Sequence, residues 1–213
     1  MTTIIPTVFA HNTEEFSVRF ERLIGISNKL QIDFMDGRFV EAKSIELKEI
    51  PNLKKYKNKF EAHLMVSNPV GWIEECRKKG FVKIIFHYEA ISEEEIANLV
   101  ERIRERKMKA FMAINPETRV EEIVDLIKSV DGILVMGVHP GKEGQELDFN
   151  IFARIREIRK KNKKIDIQVD GGVKADNIGK LAKAGANLIN TGSFVSKAEN
   201  PKNALGILRN LVK

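Results

Sequence analysis

Short apolar runs alternate with helical patterns eight times along this chain of 213 residues, and this alternation constrains the fold most. The runs have the length of strands and are almost continuously apolar, which is typical of parallel strands buried on both faces. The eight runs are Thr3–Ala10, the first part of Leu30–Val40, Phe60–Val66, Val82–Phe86, Met108–Ile114, Gly132–Val138, Ile165–Val169 and Ala186–Asn190. Each run is followed by a helix-like segment, so the sequence predicts parallel strands joined by crossovers.

The intervening segments carry helical signals of unequal strength. Asn12 and Glu15 form a capping box ahead of an apolar stripe, and Gly80 is placed to end the third helix. The helix predicted near Ser44–Ile50 is weak, whereas Val120–Ile127 and Lys174–Ala184 show regular apolar spacing. Eight strand–helix units predict a single α/β domain over residues 1–213, a (β/α)8 TIM barrel, with a doubly wound sheet as the alternative.

Polar side chains recur where the apolar runs stop. They are Thr7, Asp33, His63, His87, Asn115, His139, Asp170 and Ser193. In isolation, Asp33 and Asp36 are interpreted as turn formers. Because the active sites of such barrels lie at the carboxyl ends of the strands, the recurrence makes Asp33 a functional candidate.

Three glycine-containing loops follow the last three strands. Gly171 and Gly172 come after the seventh strand, Gly192 and Ser193 after the eighth, and Gly141 and Gly144 after the sixth. Barrels bind phosphate at these places through backbone N–H groups and helix N-termini. The loops therefore predict a phosphate site, although glycines also serve simply to shape tight turns.

Composition narrows the class of protein. The net charge of +6 is spread among mixed Lys and Glu residues without interleaved aromatics, so the sequence contains no nucleic-acid motif and indicates mild attraction for an anionic ligand. The single cysteine, Cys76, excludes a disulfide framework and falls on an apolar helix face. No signal peptide or stretch of membrane-spanning length is recognised, which predicts a cytoplasmic protein that does not bind membranes.

A series of short motifs also occurs in a fixed order along the chain. They are Asp33-Phe34-Met35-Asp36-Gly37, Ala62-His63-Leu64-Met65-Val66, Phe86-His87-x-Glu89-Ala90, Asn115-Pro116-x-Thr118, Val135-Met136-x-Val138-x-Pro140-Gly141-x-x-Gly144-Gln145, Val169-Asp170-Gly171-Gly172-Val173, Ala184-Gly185-Ala186-Asn187 and Gly192-Ser193. In this order, they resemble the ribulose-phosphate 3-epimerase family over nearly the whole chain. Each motif alone would be weak.

The resemblance implies a reaction and a set of site residues. The family interconverts D-ribulose 5-phosphate and D-xylulose 5-phosphate, a step of the pentose phosphate pathway, by moving one proton at C3. Asp33 and Asp170 match its two acid–base carboxylates, and Asp33, His63 and Asp170 match three of four ligands to a divalent metal such as Zn, Fe or Mn. The metal acts there as a Lewis acid. Thr7 stands where the family usually has a serine that contacts substrate, Met136 matches an apolar lining position, and no organic cofactor is implied.

The sequence departs from the family pattern at the metal ligands and in the phosphate loop. Gln31 stands where the fourth ligand, a histidine, is expected, and a glutamine amide is a poor ligand for zinc. Since residues two apart in a strand face the same way, Gln31 should point into the barrel mouth beside His63 and Asp170. Lys142-Glu143 replaces Phe-Gly, so Glu143 is expected to repel a phosphate. These changes predict weakened metal binding.

Two classes of function therefore stay open at this point. The first is an epimerase for ribulose 5-phosphate or another ketose phosphate, such as allulose 6-phosphate. The second is a phosphosugar-binding barrel with impaired catalysis and weak metal binding. Retention of both Asp33 and Asp170 favours the enzyme, whereas Gln31 favours the binder. The resemblance also implies a homo-oligomer, and the expected ligand is a small sugar phosphate.

Overall fold

Eight parallel strands close into a barrel in which neighbours in sequence are neighbours in space, and β8 pairs with β1. The structure is a computed structural model and describes residues 2–213. The strands are β1 (Thr3–Val8), β2 (Lys29–Met35), β3 (Lys59–Met65), β4 (Phe81–His87), β5 (Lys109–Ile114), β6 (Gly132–Met136), β7 (Asp166–Asp170) and β8 (Leu188–Thr191). The predicted TIM barrel is confirmed, and the doubly wound alternative is wrong.

Within the described residues, 2–213, seven α-helices surround the barrel. They are α1 (Thr13–Ile24), α2 (Ile73–Lys79), α3 (Glu93–Glu105), α4 (Ile151–Lys161), α5 (Ile178–Ala184), α6 (Ser193–Ser196) and α7 (Pro201–Asn210). The side chain of Asn12 caps α1 by accepting from the Glu15 N–H, and Gly80 ends α2 with a φ of 104°. The N-cap of α1 and the glycine end of α2 are therefore confirmed. The reciprocal half of the predicted capping box is not formed, because the Glu15 carboxylate accepts from the His11 N–H and not from that of Asn12.

The predicted helix near Ser44–Ile50 is wrong. Hydrogen bonds hold its first residues instead: the Ile45 N–H donates to the carbonyl of Ala10, just after β1, and Ser44 Oγ accepts from the Met35 N–H at the end of β2. Residues 47–49 then form a turn. Ile45, Leu47 and Ile50 are nevertheless buried. Tertiary hydrogen bonds have thus overridden a weak local preference.

The connection between β5 and β6 is also not the predicted α-helix. It forms two 3-10 turns, Val120–Ile123 and Leu126–Lys128, while α5 begins at Ile178 rather than at Lys174. Residues three apart lie on one face in either geometry, so Val120 and Ile123 are buried just as a helical stripe would bury them. The spacing alone could not distinguish the two.

The barrel interior has an apolar side and a polar side. Its apolar residues form one packed cluster: Ile5, Ile85, Phe111, Ala113, Leu134, Met136, Val138 and Leu188. Its polar residues are buried as well: Gln31, Glu61, Lys83, Gln168 and Asn190. A Cβ added at Gly132 would lie 2.3 Å from the Phe111 ring, so this glycine provides the space that the ring fills.

Two further features bear on the sequence predictions. Cys76 is fully buried on α2, where burial raises the pKa of its thiol, as expected of a small core residue. Within residues 2–213, no helix is both long and apolar enough to cross a membrane.

Candidate active site

The carboxyl ends of the strands surround one pocket, and the candidate residues from the sequence meet there. Those lining it are Thr7, Asp33, His63, Met136, Gly141, Gly144, Asp170, Gly171, Gly172, Gly192 and Ser193. Closed-barrel registers bring them together: Asp33 is level with His63 across β2 and β3, and Met136 is level with Asp170 across β6 and β7. Met35 and Met65 add apolar wall.

Gln31 lies directly beneath the pocket and joins its two carboxylates. Its amide nitrogen, Nε2, is 2.7 Å from Asp33 Oδ1 and 2.6 Å from Asp170 Oδ2, and 3.4 Å from His63 Nδ1. Its amide oxygen accepts instead from Asn190 Nδ2 at 2.6 Å. The position beside His63 and Asp170 is the one expected from the sequence, but the atom presented there is a hydrogen-bond donor.

The setting of Asp170 favours its protonated form relative to a carboxyl group in water. Burial, and then the charge of Asp33, raise the pKa of Asp170 to about 6. The charge of His63 and the hydrogen bonds from Asn190 and Gln31 act in the opposite direction.

A chain of hydrogen bonds fixes the ring orientation of His63. Its Nε2 is 2.9 Å from His87 Nε2, and His87 Nδ1 is 3.3 Å from the Glu89 carboxylate. Burial lowers the pKa of His87 to about 4, against the opposing effect of Glu89, so His87 is neutral at pH 7. With Nδ1–H of His87 donating to Glu89, His87 Nε2 accepts and His63 Nε2 donates. The nitrogen that His63 presents to the pocket is therefore Nδ1.

Three side chains could hold a divalent metal. Ligand atoms of Asp33, His63 and Asp170 all lie within 4.8 Å of one another. An imidazole nitrogen and two carboxylates suit zinc, iron or manganese, and a ligating histidine usually donates its other N–H, as His63 does to His87. The nitrogen of Gln31, by contrast, does not fit as a fourth ligand because an amide N–H has no lone pair to donate.

Glycine backbones form the other side of the pocket. Gly171 and Gly172 have φ values of 94° and 69°, and added Cβ atoms would lie 2.4 Å from Val138 Cγ2 and 2.7 Å from the Leu147 backbone. Glycine is thus required at both positions by conformation and by space. Gly192 approaches Thr7 closely, since its Cβ would lie 3.1 Å from Thr7 Oγ1.

The acidic residue in the loop after β6 is paired with basic side chains. Glu143 Oε1 is 3.1 Å from Arg19 Nη1, and Glu143 Oε2 is 2.9 Å from Lys197 Nζ. The repulsion of a phosphate that the sequence suggests for Glu143 is therefore offset by two adjacent cations.

The polar residues below the pocket were not predicted from the sequence. Glu61, Lys83, Gln168 and Asn190 contact one another or Gln31 inside the barrel. A signal was present, because Gln168 precedes Asp170 by two positions just as Gln31 precedes Asp33. Polar residues at alternate positions of a buried strand share one face, and in a barrel that face is the interior.

The fold and the pocket place the chain among the (β/α)8-barrel enzymes, whose sites lie at the carboxyl ends of the strands. A family model described as "Ribulose-phosphate 3 epimerase family" matches residues 2–196. The chain belongs to the ribulose-phosphate 3-epimerase family. It is an isomerase of the epimerase type that acts on carbohydrates.

Relatives of known name agree with this assignment. A cytoplasmic isoform of ribulose-phosphate 3-epimerase from Oryza sativa subsp. japonica is 32% identical, and the match covers 99% of this chain and 94% of that protein. A ribulose-phosphate 3-epimerase from Mycobacterium leprae is 30% identical over 97% of this chain and 92% of that protein. Both relatives are therefore matched over nearly their full lengths.

Two solved structures show the same fold at low sequence identity. A 3-hexulose-6-phosphate synthase superposes with a TM-score of 0.75 at 16% identity, covering 100% of both chains. A KGPDC from Streptococcus mutans gives a TM-score of 0.76 at 8% identity, covering 100% of this chain and 97% of that one. At these identities, the likenesses support the closed barrel fold and carry no statement about substrate.

Proposed function

We propose that this chain interconverts D-ribulose 5-phosphate and D-xylulose 5-phosphate by two-carboxylate proton transfer at C3. The observation that carries the proposal is the pair Asp33 and Asp170, which come from β2 and β7 and reach one pocket. A simple binder of phosphosugars has no need for two carboxylates linked through one amide. Family membership supplies the type of reaction.

The reaction requires one carboxylate and one carboxylic acid. The ionised group removes the C3 proton, and the electrons of the C–H bond form an enediolate with the neighbouring carbonyl. The protonated group then delivers a proton to C3 from the opposite face, so the configuration inverts and the two aspartates exchange protonation states. The same groups serve the reverse reaction with their roles exchanged.

The other residues bind, orient and exclude water. Met35, Met65 and Met136 form an apolar wall around the reacting carbon, and Thr7 offers a hydroxyl to the substrate. Asp33, His63 and Asp170 would hold a divalent metal, which supplies a Lewis acid when bound. Gln31 weakens that binding relative to a four-ligand site, because its amide N–H has no lone pair to offer a metal.

A coupled assay with purified protein tests the proposal. Ribulose 5-phosphate should be converted to xylulose 5-phosphate, and deuterium from D2O should enter at C3 of both sugars. Allulose 6-phosphate is assayed in parallel, because turnover of it alone would reassign the substrate to a ketohexose phosphate. Binding of ribulose 5-phosphate without turnover or deuterium exchange would instead leave the phosphosugar-binding function, which the placement of Gln31 favours.

The phosphate group is proposed to bind at the glycine loops after β6, β7 and β8. Ribulose should therefore bind far more weakly than ribulose 5-phosphate. Gly192→Asp tests this placement more cleanly than a substitution at Gly171 or Gly172. Gly192 has a φ of −89°, so its replacement avoids the left-handed strain of the other two positions. This variant should abolish sugar-phosphate binding, measured by calorimetry.

Gly25→Asp is the matched control for that variant. Gly25 ends α1, has a φ of −88° and has no atom within 4 Å of an added Cβ. It adds the same charge away from the pocket, so it should bind as wild type does. Equal affinities for ribulose and ribulose 5-phosphate would overturn this placement of the phosphate.

A further inference from the structure

A group of buried polar residues inside the barrel has no part in the proton transfer. Lys83 and Glu61 are 4% and 2% exposed, and Lys83 Nζ lies 2.9 Å from Glu61 Oε1. Lys83 Nζ also lies 3.9 Å from the centre of the Phe111 ring and 3.0 Å from Gln168 Oε1. This ion pair lies below the pocket, where burying a charge is costly unless it is paired and hydrogen-bonded.

The Lys83 ammonium group sets the direction of a chain of hydrogen bonds that leads to the pocket. Lys83 donates to Gln168 Oε1, so the oxygen of Gln168 is committed and its Nε2 faces the remaining acceptors. Those acceptors are Glu61 Oε2 at 3.0 Å, Asn190 Oδ1 at 2.8 Å and Gln31 Oε1 at 3.2 Å. Gln31 then donates through Nε2 to Asp33 and Asp170.

We propose that Lys83 and Glu61, acting through Gln168, are positioning residues that hold the Gln31 amide nitrogen between Asp33 and Asp170, where it opposes binding of a divalent cation. The Lys83 ammonium group can only donate and the Glu61 carboxylate can only accept. Gln168 must therefore turn its oxygen to Lys83 and its nitrogen to Glu61. The amide NH2 of Gln31 thus satisfies the two carboxylates at the place that three metal ligands surround.

An inverted Gln31 amide would be disfavoured at both of its ends. Its oxygen would face the oxygens of Asp33 and Asp170 at 2.6–2.7 Å, and its nitrogen would face Asn190 Nδ2 at 2.6 Å. Asn190 cannot rotate freely to compensate, because the same Nδ2 donates to Asp170 Oδ2 at 2.9 Å. Gln168 cannot rotate either, because its nitrogen would then face the Lys83 ammonium group.

The proposal makes a prediction about sign that separates it from a merely weak fourth ligand. If the oxygen of Gln31 faced the metal, Gln31→Leu would remove a ligand and lower metal affinity. If the nitrogen occupies that place, Gln31→Leu removes an obstacle and leaves two carboxylates that favour a cation. Gln31→Leu should then bind metal more tightly than wild type, although it adds no ligand.

The first experiment titrates wild type, Gln31→Leu and Gln31→His with Mn2+ alone, followed by calorimetry and by the EPR signal of free Mn2+. Affinity should increase from wild type to Gln31→Leu by about tenfold, and further in Gln31→His, within the range expected when a partner of a metal site changes. Asp33→Asn is the control that removes a ligand and should abolish binding in every background. Weaker Mn2+ binding by Gln31→Leu than by wild type would overturn the proposal.

The second experiment tests the role of the ion pair with a double-mutant cycle. Lys83→Met and Glu61→Leu are introduced together, so that no single buried charge is left behind. In the wild-type background they should raise Mn2+ affinity by about tenfold. In the Gln31→Leu background, which has no amide to orient, they should change nothing. Equal changes in both backgrounds, or no change in either, would overturn the positioning role.

A third measurement needs no substrate and no metal. In protein labelled with 15N-glutamine, the side-chain NH2 of Gln31 should exchange slowly with solvent in wild type and faster after the ion pair is replaced. Should the double variant fail to fold, Gln168→Glu replaces it, because a carboxylate accepts from Lys83 but cannot donate to Gln31 Oε1. It should raise Mn2+ affinity, and an unchanged affinity would count against the proposal. None of these readouts depends on the sugar, so they stand or fall separately from the proposed reaction.

Discussion

The two sides of the barrel interior have the same backbone and opposite chemistry. On β5 and β6, Phe111, Ala113 and Leu134 fill the interior with apolar atoms, and Gly132 provides space for a ring. On β2, β3, β4 and β7, the equivalent inward positions hold amides, an ion pair and the carboxylates of the pocket. Apolar packing stabilises a fold at little cost, whereas buried polar groups are stabilising only when every partner is present. The stability of the polar side therefore depends on the presence of every hydrogen-bond and ion-pair partner, and that of the apolar side on how well its volume is filled.

Breaking the ion pair of the polar side should have the largest effect. Lys83→Met leaves the Glu61 carboxylate buried without a cation, and should lower the free energy of unfolding by about 3–5 kcal/mol. Lys83→Met with Glu61→Leu should recover most of that loss, because the pair is replaced by apolar groups. Urea denaturation of the two variants measures both values. A double variant as unstable as the single one would mean that the polar side depends on the charges themselves.

The carboxylates should matter for turnover and little for stability. Asp33→Asn and Asp170→Asn should each lower kcat at least about a hundredfold, as loss of a general acid or base does. Their unfolding free energies should stay close to that of wild type, because the amide oxygen of an asparagine at either position can still accept from Gln31 Nε2. Leu134→Met, a volume-conserving change on the apolar side, is the control and should keep activity. Turnover within a few-fold of wild type in either asparagine variant would refute the acid–base assignment.

Overfilling the apolar side should have a moderate effect on stability. Gly132→Ala places a Cβ 2.3 Å from the Phe111 ring and should cost about 1–3 kcal/mol of unfolding free energy. Adding Phe111→Leu should restore part of this loss, because the smaller side chain vacates the space. Gly25→Ala, where no atom lies within 4 Å of the new Cβ, serves as the control. If thermal unfolding does not distinguish Gly132→Ala from the control, the interior has room for the added methyl group beside Phe111.

The smallest effect concerns Asp36, a polar residue outside the barrel interior. It accepts hydrogen bonds from the N–H groups of Arg38, Phe39 and Ser67. Burial alone would raise the pKa of Asp36, but these bonds lower it from 3.8 to about 2. Since the folded pKa lies below the unfolded one, the charged carboxylate stabilises the fold above about pH 4, and this contribution is lost as the pH falls towards 2.

Asp36→Asn should therefore cost about 1 kcal/mol at pH 7, and the difference from wild type should shrink between pH 4 and pH 2. Urea denaturation over that range measures it. Asp125→Asn, at a position where the side chain makes no capping hydrogen bond, is the control and should leave the unfolding free energy at pH 7 close to that of wild type. A difference that grows as the pH falls would mean that the ionised Asp36 carboxylate destabilises the fold, contrary to this prediction.

The sequence predicted the barrel and its strand ends because both depend on local patterns. An apolar run that ends in a polar residue indicates where a buried strand meets the pocket, and Asp33, His63 and Asp170 were found in this way. The segment of Ser44–Ile50 was not predicted, because its path depends on hydrogen bonds to Ala10 and Met35, which lie far from it along the chain, after β1 and at the end of β2.

The orientation of the Gln31 amide could not be predicted from the sequence for a similar reason. The direction of each amide depends on the next donor in space, and these donors come from β4, β7 and β8. Spacing along β2 predicts where Gln31 points, but only the closed barrel determines which of its two amide atoms faces Asp170. The direction in which an inward side chain points thus follows from one strand, whereas the orientation of its amide group depends on several strands.

The closed register of the barrel also bears on how such an enzyme could be modified. Asp33, His63 and Asp170 are carried by strands that pair on both sides, whereas Gly141, Lys142 and Glu143 belong to a loop. Libraries that vary Lys142, Glu143 and Gln145, and keep Gly141 and Gly144 at their positive φ values, would therefore alter the wall proposed to meet the sugar phosphate, while the proposed proton-transfer pair stays at fixed separation. We expect that substitutions in this loop can alter the sugar preference with few variants lost to misfolding. The strand-borne positions Asp33, His63 and Asp170 should tolerate almost no substitutions.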